Sequence, residues 1–140
     1  MRAMPVLHQR MELNTAAHHE VIDITREVQR VVAESGVRDG ICTVFTPHAT
    51  AAITINENDD PNIGTDFHAA LAKLVIEHDG WLHDRVDNNA AAHIKSALVG
   101  PSETIPIENG RLALGQWQNV FFCEFDGPRK HRGIVVTVVG

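Results

Sequence analysis

Short strand-like segments dominate the C-terminal third of the 140-residue chain. Residues 104–107, 111–114, 120–125 and 134–139 are rich in β-branched and aromatic side chains, which strands favour. An Asn109-Gly110 pair separates the first two segments, and this dipeptide is a strong signal for a two-residue hairpin turn. Hairpins join antiparallel strands, so the sequence predicts a mainly antiparallel or mixed β-sheet in this region.

The N-terminal part of the chain adds two strands and a helix. Residues 6–13 and 20–24 alternate apolar and polar side chains on either side of Asn14-Thr15, which predicts another hairpin. Apolar residues then recur at helical spacing over residues 24–32, and Gly36 follows as a C-terminal cap.

The middle of the chain mixes strands and a second helix. The runs ICTVFT and AAITIN, residues 41–46 and 51–56, predict two strands joined around Thr46-Pro47-His48. Asp60-Pro61 is a good helix start, and residues 67–77 form an amphipathic pattern.

A third helix covers residues 90–99, with Asn88 or Asn89 as its cap and Gly100 at its end. About three helices with mainly hairpin-connected strands favour an α+β fold over a doubly wound one. We therefore predict a single compact α+β domain over residues 1–140.

Composition argues against several classes of protein. A net charge of -6 without a Lys/Arg block argues against nucleic acid as a partner. No apolar run approaches the roughly 18 residues of a membrane span, and the N-terminus lacks the pattern of a secretory signal. We therefore expect a cytoplasmic protein with no membrane partner. Cys42 and Cys123 lie in apolar runs and form no CxxC pair, which predicts buried, reduced thiols.

Nine histidines raise the chance of metal or proton chemistry. His48 lies between two predicted strands, His83-Asp84 lies in a loop, and His93 lies one turn into a helix, ten residues after His83. Three imidazoles with an adjacent carboxylate suit zinc with one open coordination position. The spacing matches no compact metal-binding motif, so each histidine also fits the alternative of a turn or core residue that binds no metal.

The run INENDDP places several oxygen-bearing side chains at the end of an apolar strand. Like charges this close destabilise a fold unless water, a cation or a helix N-terminus offsets them. The run therefore fits either a polar site that includes Asn56, Glu57 and Asp60, or a solvated loop in which Asp60 caps the next helix.

The run LGQWQNVFFCEFDGPRKHRG contains a third group of candidates. Trp117 is a large anchor, and Glu124 interrupts an apolar strand, so its carboxylate must point outward or toward a polar site. Arg129 and Arg132 follow a Gly-Pro turn, where guanidinium groups can grip a phosphate. The same arginines also fit a solvated hairpin end.

Taken in order, these segments resemble the YjbQ-like family, whose members are described as secondary thiamine-phosphate synthases. The resemblance rests on PHATAAITINENDDP, the His-Asp pair, AHIKSALVG, IPIENGRLALG with WQ, and CEFDGPR followed by R and VVG, from about residue 41 to residue 140. It implies a compact α+β homotrimer with a polar site near a subunit interface. The family often has GTWQG where this chain has GQWQN, and Ser where it has Ala92.

The resemblance selects the site residues that we expect to act. The expected metal ligands for zinc, or for magnesium, are His48, His83 and His93. The expected catalytic residues are Glu57, Asp60 and Glu124. The expected substrate-binding residues are Asn56, Asp84, Trp117, Gln118, Arg129 and Arg132.

The reaction implied by the resemblance joins hydroxymethylpyrimidine diphosphate to thiazole phosphate. Its partner is therefore a small phosphorylated substrate, and departure of diphosphate needs a divalent cation or cationic donors. Two alternatives stay open: a zinc-dependent hydrolase with Glu57 as the base of a metal-bound water, and a non-catalytic metal- or ligand-binding trimer.

Overall fold

The computed structural model describes residues 4–140, in which eight strands form two antiparallel sheets. The first sheet has five strands in the order β1-β8-β3-β5-β6, and the second has three in the order β2-β7-β4. The elements are β1 Val6–Leu13, β2 Glu20–Asp23, α1 Thr25–Ser35, β3 Gly40–Phe45, β4 Ala51–Asn56, α2 Asn62–Leu74, a 3₁₀ turn Leu82–Arg85, α3 Ala90–Val99, β5 Ser102–Glu108, β6 Arg111–Leu112, β7 Asn119–Glu124 and β8 Arg132–Val139. The predicted α+β class with three helices is confirmed.

The main core lies between the two sheets and against α1. Val28, Val31 and Val32 of α1 are buried there with alternate residues of β7, Val120 and Phe122. Their spacing of three and four residues places the valines on one face of the helix. Burial of this apolar layer holds the sheets face to face.

A second, smaller core lies on the other face of the three-stranded sheet. Phe121, Cys123 and Phe125 of the β7 region pack there with Ala92 of α3 and with Phe67 of α2. Both faces of β7 are therefore covered, which explains why VFFCEF reads as a continuous apolar run rather than an alternating one.

The predicted hairpin between residues 6–13 and 20–24 is wrong. β1 pairs with β8 and β2 pairs with β7, so the connection crosses from one sheet to the other. Thr15 explains the crossing, because its backbone N–H donates to the carbonyl of Arg129 at 2.8 Å and its hydroxyl donates to Glu124 at 2.7 Å. These long-range contacts replace the tight turn that Asn14-Thr15 suggested.

Two predicted elements end earlier than expected. The second helix stops at Leu74 because Val75 has an extended backbone, φ −123° and ψ 93°, so Glu77 lies in the following loop. β6 contains only Arg111–Leu112. Both predicted thiols, Cys42 and Cys123, are buried and free, as expected. Among the described residues, no helix is long and apolar enough to cross a membrane.

Candidate functional site

Glu124 forms a fully buried ion pair at the carboxyl end of β7. One carboxylate oxygen accepts hydrogen bonds from Arg132 Nε at 2.9 Å and Thr15 Oγ1 at 2.7 Å, and the other accepts from Arg132 Nη2. The Asp126 backbone N–H adds a further bond at 3.1 Å. Burial opposes ionisation, but these donors lower the pKa of Glu124 below its ordinary value. Glu124 is thus a saturated, ionised carboxylate, which favours a positioning role over proton abstraction.

Arg132 is buried with Glu124. Its Nη2 also donates to the Thr50 hydroxyl at 2.9 Å, so the guanidinium links β8 to the end of β7 and to the residue that precedes β4. A guanidinium committed to buried partners is poorly placed to grip a phosphate in solution. The contacts therefore favour a structural role for Arg132 as well.

His48 adjoins this ion pair through the backbone. Its Nε2 accepts a hydrogen bond from the Gly133 N–H at 2.8 Å, which fixes the neutral tautomer that carries its proton on Nδ1. Burial and the nearby Arg132 charge lower the pKa of His48. In this arrangement His48 offers a donor through Nδ1, and metal ligation through Nε2 would require the bond from Gly133 to break.

Arg129 stands at the same end of β7, but at the surface. Its Nε donates to the Asp126 carbonyl at 2.9 Å and its Nη2 donates to the Asp126 carboxylate at 2.8 Å, while half of its side chain, 51%, stays exposed. The Asn89 amide donates to the same carboxylate at 2.8 Å. Burial raises the pKa of Asp126, but Asn89 and Arg129 outweigh it, and the net pKa is lowered. We call Glu124, Asp126, Asn89, Arg129 and Arg132 the β7-end cluster.

Beside the β7-end cluster lies a second group, the histidine cluster, which consists of His18, His19, Glu77 and Lys95. His18 Nε2 lies 2.7 Å and His19 Nε2 lies 3.4 Å from Glu77 Oε1. The Lys95 ammonium lies 3.5 Å from His19 Nε2, and Lys95 is only 1% exposed. Among residues 4–140, His18, His19 and Glu77 form the one group of three ligand-type side chains whose ligating atoms all lie within 4.8 Å of one another.

The pKa values of the two neighbouring histidines are shifted in opposite directions. Burial opposes protonation of His18, but hydrogen bonds to Glu77 and to the Gly127 carbonyl raise its pKa above the ordinary value. Burial and then the Lys95 charge lower the pKa of His19 to about 4. The cluster thus favours the protonated form of His18 and the neutral form of His19, whose Nε2 accepts from Lys95.

Gly127 allows the connection that carries His18 to approach the end of β7. A side chain at this position would meet the Ala17 carbonyl oxygen at 2.1 Å and the Thr15 hydroxyl at 3.0 Å. The Gly127 N–H donates to the His18 carbonyl at 3.0 Å, and the Gly127 carbonyl lies 3.2 Å from His18 Nδ1. The glycine therefore fixes where His18 sits.

His83 and His93 are brought together by the 3₁₀ turn and α3. Their ring centroids lie 4.7 Å apart in an edge-to-face arrangement. Within residues 4–140, however, His48, His83 and His93 do not form a group with converging ligand atoms. Asp84 has a capping role, because it accepts the Ala90 N–H at 2.9 Å at the start of α3. Asn89, one of the two expected caps, donates to Asp126 instead.

The Trp117 hollow, lined by Asn56, Glu57 and Trp117, gathers three further predicted residues. Trp117 is 55% exposed. Gln118 closes the adjoining turn, since its side-chain oxygen accepts the Gly115 N–H at 2.8 Å. Asp60 accepts the N–H of Asn62 at 2.9 Å, so it supports the start of α2 as the solvated-loop reading suggested.

The hollow and the β7-end cluster lie at opposite ends of the three-stranded sheet. Asn56 pairs with Asn119, and Ala51 pairs with Glu124. Five residue steps of about 3.4 Å separate these two pairs, a distance of about 17 Å. The predicted residues of the Trp117 hollow are thus separated from Glu124, Arg129 and Arg132 within one chain.

The sequence did not single out His18, His19, Glu77, Lys95 or Asp126. The adjacent histidines were a possible signal, since the chain contains just one His-His pair, but nothing in their spacing points to Glu77. That contact depends on how loops from three parts of the chain meet.

The chain matches the family model described as UPF0047 protein YjbQ-like over residues 9–140. A UPF0047 protein of Archaeoglobus fulgidus is 47% identical over 125 residues, covering 89% of this chain and 96% of that protein. The UPF0047 protein YugU of Bacillus subtilis is 44% identical over 122 residues, covering 85% of this chain and 89% of that protein.

Solved structures agree with this assignment. A YbjQ-like protein from Sulfolobus solfataricus P2 superposes with a TM-score of 0.95 at 36% identity over 99% of both chains. A YjbQ/UPF0047 family protein from Clostridium acetobutylicum gives a TM-score of 0.89 at 46% identity, covering 93% of this chain and 98% of that one. Since the family model, the relatives and the folds agree over nearly the whole length, the chain belongs to the UPF0047 YjbQ-like family.

Proposed function

We propose that this protein is a transferase for small phosphorylated substrates, and that it makes thiamine phosphate from hydroxymethylpyrimidine diphosphate and thiazole phosphate. The family resemblance supplies the reaction. The observation that carries the proposal is Arg129, which Asp126 holds at 2.8 and 2.9 Å while half of its side chain stays exposed. A fixed guanidinium at the surface is suited to bind a phosphate with its remaining N–H groups.

The reaction asks for charge stabilisation on the departing diphosphate. The ring nitrogen of the thiazole attacks the methylene carbon of the pyrimidine, the carbon–oxygen bond breaks, and diphosphate leaves with the electron pair. Arg129 would donate to the diphosphate as its charge grows. The buried Glu124–Arg132 pair would position this end of β7, because it ties the strand to Thr15 and Thr50.

The Trp117 hollow suits the ring end of the substrates. An exposed indole offers a flat face on which an aromatic heterocycle can stack. Glu57 and Asn56 at its edge offer an acceptor and an amide for hydrogen bonds to ring nitrogens and amino groups.

A homotrimer would unite the two places. Within one chain the hollow and Arg129 lie at opposite ends of β7, so a single subunit cannot close both around one substrate. We propose that the hollow of one subunit faces the β7-end cluster of the next, which makes the site a property of the trimer.

His83 and His93 remain candidates for a divalent metal, and imidazole nitrogens suit zinc better than magnesium. The contacts of His48 do not fit the third ligand position within one chain, so no step is assigned to this metal. A bound divalent ion would neutralise diphosphate charge.

Rescue of a thiamine auxotroph that lacks its usual synthase tests the proposal. The wild-type chain should restore growth without thiamine, and Arg129→Gln should abolish it. Lys130→Gln is the matched control, since it removes a neighbouring exposed charge that lacks the Asp126 clamp. Growth that fails with soluble wild-type protein would reject the synthase, and metal-dependent phosphoester cleavage in its place would favour the hydrolase alternative.

A further inference from the structure

We propose that His18, His19 and Glu77 form a zinc-binding site within a single chain, separate from the residues assigned to the transfer reaction. Two imidazoles and one carboxylate are a known ligand set for zinc with an open fourth position. The ligating atoms of these three side chains already lie within 4.8 Å of one another.

The distances are close to those that zinc requires. Ligand bonds of about 2.0–2.2 Å in a tetrahedron place neighbouring ligand atoms about 3.3–3.5 Å apart. His19 Nε2 lies 3.4 Å from Glu77 Oε1, which meets this value. His18 Nε2 lies 2.7 Å from the same oxygen, which is a hydrogen-bond distance. His18 must therefore move outward by less than about 1 Å to reach the separation of two ligand atoms on one zinc ion.

Both imidazoles already present the correct nitrogen. The Gly127 carbonyl lies 3.2 Å from His18 Nδ1 and accepts its proton, which leaves Nε2 for a metal. A backbone carbonyl behind the far nitrogen is the usual support for a zinc-bound histidine. His19 Nε2 accepts a hydrogen bond from Lys95 at 3.5 Å, so its lone pair points at a cation already. Zinc would take the place of the proton on His18 and of the ammonium on His19.

The ligands come from separate parts of the chain. His18 and His19 lie in the connection between the two sheets, and Glu77 lies in the loop after α2. His19 also lines a groove of about 710 Å³ with His68 and Phe121, so the metal would lie at the edge of a cavity large enough for a small ligand. Zinc binding would therefore link the connection between the sheets to the loop after α2 and raise the melting temperature of the protein.

Lys95 limits the affinity, because its buried ammonium competes for His19. Lys95→Met removes the competing cation and keeps a long apolar side chain in the same space. We expect this variant to bind zinc at least tenfold more tightly than the wild type, since one buried like charge is removed. A structural lysine unrelated to a metal would leave the affinity unchanged.

Zinc titration by calorimetry on chelator-treated full-length protein, without substrates, tests the site. We expect one zinc per chain, at least tenfold weaker binding in Glu77→Gln and in His18→Ala, and no change in the control His131→Ala, which removes an exposed histidine paired with Glu12. X-ray absorption of the loaded protein should show two imidazoles. The proposal is overturned if wild-type protein takes up no zinc, or if its zinc survives His18→Ala/His19→Ala in folded protein and is lost in His83→Ala/His93→Ala.

Discussion

Glu124 shows how a carboxylate can be kept in the interior of this fold. From the sequence its side chain had two options, the solvent or a polar site, and the structure gives the second in the form of Arg132 and Thr15. The partner was hard to foresee because Arg132 lies beyond a turn and equally fits an exposed hairpin end. Each charge of the pair needs the other, since either charge alone would be buried without a counter-ion.

Glu124→Gln should lower the free energy of unfolding by about 3–5 kcal/mol, because Arg132 would stay buried without its counter-ion. Urea denaturation at pH 7 measures the change. Glu12→Gln is the control, since it breaks the exposed pair with His131 and should change stability by less than about 1 kcal/mol. Equal effects of the two substitutions would refute the structural role of the buried pair.

The low pKa of His19 links folding to pH. In the unfolded chain this imidazole takes up a proton near its ordinary pKa of 6.5, whereas in the folded protein it does so only at about 4. Between these values the unfolded state binds more protons, so the contribution of His19 makes stability fall as pH falls.

His19→Gln should therefore reduce the loss of stability between pH 7 and pH 5 by on the order of 1 kcal/mol. Glutamine keeps an acceptor for Lys95 and removes the titrating group. Urea denaturation at both pH values, with chelator present, gives the comparison. An identical loss in the variant and the wild type would show that His19 titrates normally.

Helix α3 illustrates which local features follow from sequence. Its bounds, Ala90–Val99, and the terminal Gly100 match the prediction from residue pattern and cap signals. The capping side chain does not match, because Asn89 turns to Asp126 while Asp84 from the preceding 3₁₀ turn accepts the Ala90 N–H. Helical periodicity is local information, whereas the choice between two nearby oxygen acceptors for the first N–H of the helix depends on tertiary contacts.

Asp84→Ala should destabilise the protein by about 1 kcal/mol, the usual effect of losing a helix cap. Asp87→Ala provides the control, since its carboxylate is mostly exposed and lies 4.0 Å from His83. Chemical denaturation of both variants measures the difference. If Asp87→Ala were as destabilising as Asp84→Ala, the capping role would be lost.

Strand pairing was the part of the fold that sequence predicted least well. β1 and β2 follow each other closely, as hairpin strands do, yet each pairs with a strand near the C-terminus. Alternation shows that a segment is a strand but not which strand lies beside it. The same limit applies to the site, since motif matching selected Glu57 and Arg129 without showing that they lie near opposite ends of the three-stranded sheet.

The trimer proposal makes a prediction about the exposed apolar side chains of one region. Leu74, Ile76, Leu82 and Val86 are all more than half exposed, in the chain segment that also carries Glu77 of the histidine cluster. We expect a neighbouring subunit to cover them. Light scattering should then give about three times the chain mass of 15.4 kDa.

Leu82→Asp should reduce the measured mass toward that of one chain, because it places a charge in the expected contact. Ile41→Asp is the control, since it adds the same charge on the outer face of the five-stranded sheet. A wild-type protein that runs as a monomer would contradict the shared site directly.

Subunit mixing tests the central claim, that a trimer makes thiamine phosphate at sites shared between neighbours. Glu57→Gln alters the Trp117 hollow and Arg129→Gln alters the β7-end cluster, so each variant alone should be inactive with the two phosphorylated substrates. In trimers mixed at random from equal amounts, about a quarter of the interfaces would join an intact hollow to an intact β7-end cluster. The account predicts thiamine phosphate formation at about a quarter of the wild-type rate. No activity in confirmed mixed trimers, beside an active wild type, would place the whole site within one chain and contradict it.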